Sequence, residues 1–283
     1  MIVNGQQQQH IAIADRALQY GDGCFTTMAF RNARLEFFEN HINRLKLACK
    51  TLHIDFDKWV ELERCIFNVL KTADDCVVKV IITRGVGGRG YSPVGAENPN
   101  FIISLHTIPS HYPSWQTKGI KLTTSSITLA CQPLLAGIKH LNRLEQVLVK
   151  QALSKTSYDD AIVCDTNHKV IETSAGNLFW YKDNTWYSPD LSDSGVEGVM
   201  RNRVLTVMQE NGLECQIVKQ AVSVLFSAQE LFVCNSLMML VPVVSLFNPT
   251  TQQHKNFMVE ETKKIKHNIH NSIILNQINI QLN

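Results

Sequence analysis

The stretch CVVKVIITRGVGGRGYSPVGAENPNFIISLH, residues 76–106, decides the fold. Gly85, Gly87 and Gly90 fit G-x-G-x-x-G, the glycine pattern of dinucleotide-binding loops. That reading needs a strand before the glycines and a helix after them, because the helix N-terminus holds the phosphates. The β-branched run CVVKVIIT supplies the strand, but YSPVGAENPN follows, with two prolines, a glycine and two asparagines, and cannot open a helix. The segment therefore reads as strand, glycine loop, strand, with NFIISLH (100–106) as the second strand. The loop carries Arg84, Arg89 and Tyr91; two guanidiniums suit bidentate capture of carboxylates, and a solvated hairpin would carry the same residues.

Outward from this hairpin, ENHINRLKLACKTLH (39–53) places Ile42, Leu45, Cys49 and Leu52 on one helical face, and residues 57–73 read as a second helix. TIPSHYPSWQTK (107–118), with two prolines, is the candidate linker. Beyond it come a strand at 120–127, a helix at 140–155, strands at 161–165, 169–173, 177–182 and 185–189, a helix at 198–212, and late strands at 230–235 and 239–247. The tail, 250–283, is expected to pack on the body through a helical part and to fray at its end.

The chain has 283 residues, 45% hydrophobic and 18% charged, with formal net charge +2. This suits a globular protein with a real core and gives no reason to invoke nucleic acid or a membrane. The start, MIVNGQQQQHIAIADRAL, lacks the pattern of a signal peptide, and eight scattered cysteines read as reduced thiols, so a cytoplasmic protein is expected. Ten dispersed histidines show no metal-ligand spacing, and neither a G-x-S-x-G elbow nor a phosphate-binding Walker loop is present.

Four places could carry chemistry. Lys139 lies in an apolar run, LLAGIKHL; a desolvated lysine is a nucleophile for aldehydes and a base, though one that snorkels to water would look the same. Glu172 ends a β-branched strand, where it is either an exposed carboxylate or an acceptor for a protonated ring nitrogen. Gly198, Val199 and Met200 open a helix whose backbone N–H groups could hold an anion. Ser236, in CNSLM, could add a hydroxyl or serve as a plain turn residue.

Taken together and in order, YGDGCFTT (20–27), HINRL (41–45), RGVGGRGY (84–91), AGIKHLNRLEQVL (136–148), ETSAGNLFW (172–180), GVEGVMR (195–201) and CNSLMMLVPV (234–243) resemble the aminodeoxychorismate lyases. These are pyridoxal-phosphate enzymes of fold type IV, the group that also holds branched-chain and D-amino-acid aminotransferases. The resemblance implies an α+β chain of two domains: a sandwich-like N-terminal α/β domain (1–107), a linker (108–118) and a larger C-terminal domain (119–283) with a barrel-like β core and the cofactor lysine. It implies pyridoxal 5'-phosphate held by Lys139 as a Schiff base, by Glu172 at the pyridine nitrogen, and by Arg44, Val199, Met200 and Ser236 around the phosphate, with Arg44 on the polar side of its helix. Lys139 would act as base and then acid, Thr27 would steer it or the cofactor, and Arg84, Arg89 and Tyr91 would bind the carboxylates of 4-amino-4-deoxychorismate. A homodimer is implied as well. An aminotransferase of the same fold, or a catalytically silent cofactor-binding protein, would share Lys139, Glu172 and the phosphate cup.

Overall fold

The computed structural model describes residues 1–275 and 278–279, with side chains described for 1–269 and 271. The described chain divides into two units: Met1–Ile108 with Ile138–Asn142, and Pro109–Gly137 with Arg143–Leu275.

The first unit is an antiparallel sheet covered by two helices. Its centre is three strands, Gly23–Arg31, Cys76–Thr83 and Asn100–His106, in unbroken register from Gly23↔Thr83 to Phe30↔Cys76 and from Thr83↔Asn100 to Val77↔His106. Short strands flank them: Ile2–Val3 and Gln6–Gln7 at one side, Arg34–Leu35 at the other. The helices Phe38–Thr51 and Trp59–Leu70 bury Ile42, Leu45 and Cys49 and Leu62, Ile66 and Leu70, residues spaced three and four apart. They meet Met28, Val78, Val80, Ile82 and Phe101 of the sheet in one apolar core. Full burial of each such side chain favours folding by about 1.5–3 kcal/mol.

The hairpin 76–106 is strand, loop, strand as the sequence predicts, with no helix between Arg84 and Pro99. Isolated from the rest of its domain in sequence, the segment Ile138–Asn142 joins this unit. Phe25 N donates to Lys139 O at 2.9 Å, Leu141 N donates to Gly23 O at 3.0 Å, and Cys24 pairs with His140. Cys24 also pairs with Ile82, so this backbone runs along the other side of the strand. This corrects the expectation that the lysine belongs with the C-terminal domain: backbone hydrogen bonds to Gly23–Arg31 hold it in the first unit.

The second unit is a nine-stranded mixed sheet. Its strands run in the spatial order Cys215–Val218, Thr185–Pro189, Asn177–Lys182, Glu230–Asn235, Met239–Asn248, Ile120–Thr124, Asp160–Cys164 and Val170–Thr173, with Gln253–Asn256 paired to Met239–Asn248. The sheet curls into a half-barrel, because its last strand, Val170–Thr173, leads through a tight turn into Asn177–Lys182, five places away in that order. Near-continuous apolar strands such as ELFVCN are buried on both faces, as such a barrel requires. The stretch 108–118 read as a linker holds a helix, Tyr112–Lys118, with proline in its first turn; Tyr112 and Trp115 pack against this unit's core.

The tail helix Glu260–Leu275 is docked rather than loose. Glu230, almost fully buried, accepts from Glu261 N, Thr262 N and Thr262 Oγ1 at 2.9, 2.8 and 2.7 Å, and so caps the helix. Ile265 and Ile269 are buried below it. The end expected to fray lies outside the described residues. Among the described residues no helix is long and apolar enough to cross a membrane.

Candidate active site

In the first unit, Lys139 is half-buried, and its Nζ lies over the ring of Phe25, 4.8 Å from the centroid. A cation there is held by the ring's quadrupole and directed by it. Thr27, two residues after Phe25, shares that face of the strand and is half-buried; Thr26 points the other way and is fully buried.

Thr26 meets the helix Phe38–Thr51. Its Oγ1 lies 2.6 Å from His41 Nδ1 and accepts a short hydrogen bond from Arg44 Nη2. Arg44, expected on the polar side of its helix, is not turned to solvent. His41 and Arg44 are three residues apart, which puts them on one face, and that face is turned inward. Burial pushes the Arg44 guanidinium down to about 10, against an opposing influence of Cys24. Burial, then the positive charges of Arg44 and Lys139, hold His41 well below its ordinary value, so it is neutral. Among the described residues Arg44 has no carboxylate partner, and Arg44 Nε and His41 Nε2 are buried without a hydrogen-bond acceptor. Buried donors of this kind are rare and call for an acceptor.

The glycine loop is organised by a residue that sequence reasoning missed. Arg16, 4% exposed, donates to the carbonyls of Tyr91 and Ser92 at 3.0 Å each and of Gly90 at 3.3 Å, and its Nε donates to Asp22 at 2.8 Å. The loop turns its carbonyls inward to this guanidinium. Gly87, at φ 138°, is forced by the crossing: a Cβ there would collide with Gly95 O. Asp15, fully buried, caps the short helix after it through Ala17 N and accepts from Thr83 and Asn100, fixing both ends of the hairpin. Of the three residues expected to bind substrate, Arg84 is committed within the protein. It donates to Asp22 Oδ2 at 2.8 Å and to His53 O and Leu52 O at 2.6 Å each. Arg89 and Tyr91 are exposed on the loop, and the Tyr91 ring meets Tyr20 edge-on at 5.5 Å.

In the second unit, Glu172 is buried on the strand Val170–Thr173, and its Oε2 accepts from Val196 N at 3.0 Å. Burial lowers the pKa of Arg143, and the charges of Glu172 and Glu145 oppose this; Glu172 thus sits in the field of a cation. Past Val196 the chain enters the helix Val199–Glu210 through Gly198, where no side chain caps the N-terminus. Asn177 closes that entry, donating to Val196 O at 2.8 Å, and a Cβ on Gly198 would strike its Oδ1. Arg201, unnoticed in the sequence, ties the first turn to the sheet through Ser188 Oγ at 3.2 Å and Pro189 O at 2.9 Å. The amides of Val199 and Met200 therefore open a helix whose first turn is tied to the sheet and whose N-terminus has no side-chain cap. Ser236 is buried in a turn shaped by Asn235, which accepts from Leu237 N and Met238 N and donates to Ala175 O.

Each unit thus brings hydrogen-bond donors, the first with a lysine, the second with a buried carboxylate. The sequence matches the amino-transferase class IV family over residues 23–246. It is 40% identical to the aminodeoxychorismate lyase of Vibrio harveyi over 247 residues, 87% of this chain and 91% of that one. It is 28% identical to a putative branched-chain-amino-acid aminotransferase of Methanocaldococcus jannaschii over 92% of this chain and 90% of that protein. Among solved structures, the 4-amino-4-deoxychorismate lyase of Pseudomonas aeruginosa superposes with a TM-score of 0.89 at 34% identity, covering 96% of this chain and 98% of that one. The branched-chain aminotransferase of Escherichia coli, at 20% identity and a TM-score of 0.83 over 96% of this chain and 93% of that one, shares the fold. The chain belongs to the amino-transferase class IV family.

Proposed function

We propose that this protein is an aminodeoxychorismate lyase, cleaving 4-amino-4-deoxychorismate to 4-aminobenzoate and pyruvate with pyridoxal phosphate. The observation that carries the reading is the 40% identity to a lyase across nearly the whole of both chains. The residues present fit the cofactor. Arg44 brings a buried guanidinium with no carboxylate partner among the described residues, and the Gly198 turn brings uncapped amides. Lys139, Arg44, Glu172, Ser236 and the amides of Val199 and Met200 would hold it. When bound, it supplies an aldehyde for amines and an electron sink for a carbanion.

The chain's own groups do the rest. Lys139 Nζ takes the proton from ring carbon four of the substrate, the bond from the ring to the enolpyruvyl oxygen breaks, and the same amine returns the proton to the methylene carbon of the leaving group. The atoms balance with no further reactant. Aromatisation of the ring supplies driving force, so the enzyme's task is to orient the C–H bond toward the amine. Phe25 supports that orientation by directing the lysine Nζ. Glu172, acceptor of Val196 N, is the carboxylate suited to keep a ring nitrogen protonated. Thr27, on the face that carries Phe25, contributes to positioning. Arg89 and Tyr91 are proposed to meet the substrate carboxylates. Arg84 is proposed to shape that loop from beneath, since its guanidinium is committed to Asp22 and two carbonyls. The proposal includes a homodimer, supported by the resemblance and tested by sedimentation.

Incubating the purified protein with pyridoxal phosphate and 4-amino-4-deoxychorismate should give equal amounts of 4-aminobenzoate, read by fluorescence, and pyruvate. The relative from Methanocaldococcus jannaschii favours a second reading, amino-group transfer. Transfer from branched-chain or D-amino acids to a keto acid, with no 4-aminobenzoate formed, would replace the lyase assignment.

A further inference from the structure

The contact between Thr26 and its two neighbours fixes where a proton sits. A guanidinium only donates, so Thr26 Oγ1 is the acceptor toward Arg44 Nη2. The threonine is fully buried, and the only acceptor in reach of its hydroxyl hydrogen among the described residues is His41 Nδ1, 2.6 Å away. Nδ1 therefore carries a lone pair. The approach of Arg44 Nη2 to within 3.4 Å of the same nitrogen favours that lone pair over a second N–H. The proton of the neutral ring is then on Nε2, which is buried without an acceptor among the described residues, as is Arg44 Nε.

We infer that His41 is a positioning residue for anion binding. Held as the Nε2–H tautomer, it accepts a hydrogen bond from the Thr26 hydroxyl, turns the Thr26 lone pairs onto Arg44 Nη2, and so fixes Arg44 with its Nε–H presented to the cofactor phosphate. The inference rests on the cofactor reading above. Its logic is that of a relay: Thr26 can accept from Arg44 and donate onward only while the imidazole Nδ1 is unprotonated. Every charged group that bears on the cluster points the same way. Arg44 from the same helix and Lys139 from the segment beside the strand both disfavour an imidazolium, and Cys24, beside Arg44, stays a thiol because its contact with Cys49 and its burial push its pKa up. The cluster therefore has a single positive charge, on Arg44, and one direction of hydrogen bonding.

The test uses the full chain, with and without pyridoxal phosphate. Long-range proton–nitrogen spectra should show His41 as the neutral Nε2–H tautomer across about pH 5 to 8, whereas an ordinary histidine titrates in the middle of that range. A His41 resonance that titrates near its ordinary value, or an Nδ1–H tautomer, overturns the inference. Thr26→Val and His41→Leu remove the relay while keeping size; pyridoxal phosphate titrated into each should bind about tenfold more weakly or worse, and His41→Asn, which restores an acceptor, should bind within about threefold of the parent. Unchanged affinity in both Thr26→Val and His41→Leu, with native circular dichroism, also overturns it. Should His41→Leu fail to fold, the parent's spectrum and Thr26→Val still decide. A parent that binds no pyridoxal phosphate refutes the cofactor reading, and the tautomer spectrum then judges the relay separately.

Discussion

Arg84 Nε lies 2.8 Å from Asp22 Oδ2, in an ion pair that is mostly shielded from solvent. The pair separates two arginines that look equivalent in RGVGGRGY: Arg84 braces the loop, and Arg89, exposed, is the one proposed to meet the substrate. Arg89→Ala should raise KM about tenfold or more with cofactor affinity unchanged, the loss of a charge-assisted hydrogen bond to a carboxylate. Arg84→Ala should lower stability by about 1–3 kcal/mol in urea melts. Equal KM effects from both, without a stability loss in Arg84→Ala, would contradict the division.

Arg16 holds the loop from inside through the carbonyls of Gly90, Tyr91 and Ser92. Arg16→Met keeps the bulk and removes the donors. Amide hydrogen exchange over residues 87–92 should quicken and KM should rise. The yield of lysine labelled by borohydride in the presence of pyridoxal phosphate should stay constant, because Lys139 is held by other backbone contacts.

Borohydride reduction of the cofactor-loaded parent should place the label on Lys139. Lys139→Ala should lose the label and lower kcat by about 100- to 10,000-fold, the range for removing a general acid–base group. Product formation at the parent's rate would sink the mechanism.

Gly198 enters its helix pressed against Asn177, with no room for a methyl group. Gly198→Ala should push Asn177 away from Val196 O and displace the Val199 and Met200 amides. Spectroscopic titration should then show weaker pyridoxal phosphate binding.

Stability should fall as acid is added below neutrality, for a reason that can be assigned. His41 titrates well below its ordinary 6.5 when folded, chiefly through burial. Below that value the unfolded chain takes up a proton that the folded chain refuses, so the stabilisation present above it is lost as pH falls. Its slope approaches about 1.4 kcal/mol per pH unit for one proton. Urea midpoints measured from neutral pH downward should drop less steeply in His41→Asn than in the parent. Asp22 acts in the same direction at lower pH. Burial pushes its carboxyl up, but hydrogen bonds from Arg84 and Arg16 and their charges outweigh this and hold it below its ordinary 3.8, so its contribution fades in still stronger acid.

Much of this was legible along the chain because it depends on local spacing. The hairpin around RGVGGRGY, the helix carrying His41 and Arg44, and the glycine entry at Gly198 each follow from periodicity or from breaker residues within a dozen positions. Arg16 was not legible, since its acceptors are carbonyls some 75 residues away, and backbone carbonyls leave no mark in sequence. Thr26 left no signal of its own, because alternation along a strand tells which residues share a face, not which face meets the helix. Arg44 shows the same limit: a charged residue in an amphipathic helix reads as solvent-facing until its neighbours enclose it.

The sequence by itself determined most of the element order and the exclusion of a dinucleotide loop, since these rest on short-range pattern, while Lys139, Glu172 and the Gly198 turn were singled out only by the resemblance of the ordered motifs. Only the tertiary structure decided that Ile138–Asn142 is part of the first unit's sheet, that Arg84 is spent on Asp22, and that Thr26 joins His41 to Arg44. Those are long-range pairings, fixed when strands align and buried polar groups must find partners, and no window along the chain contains both ends of them.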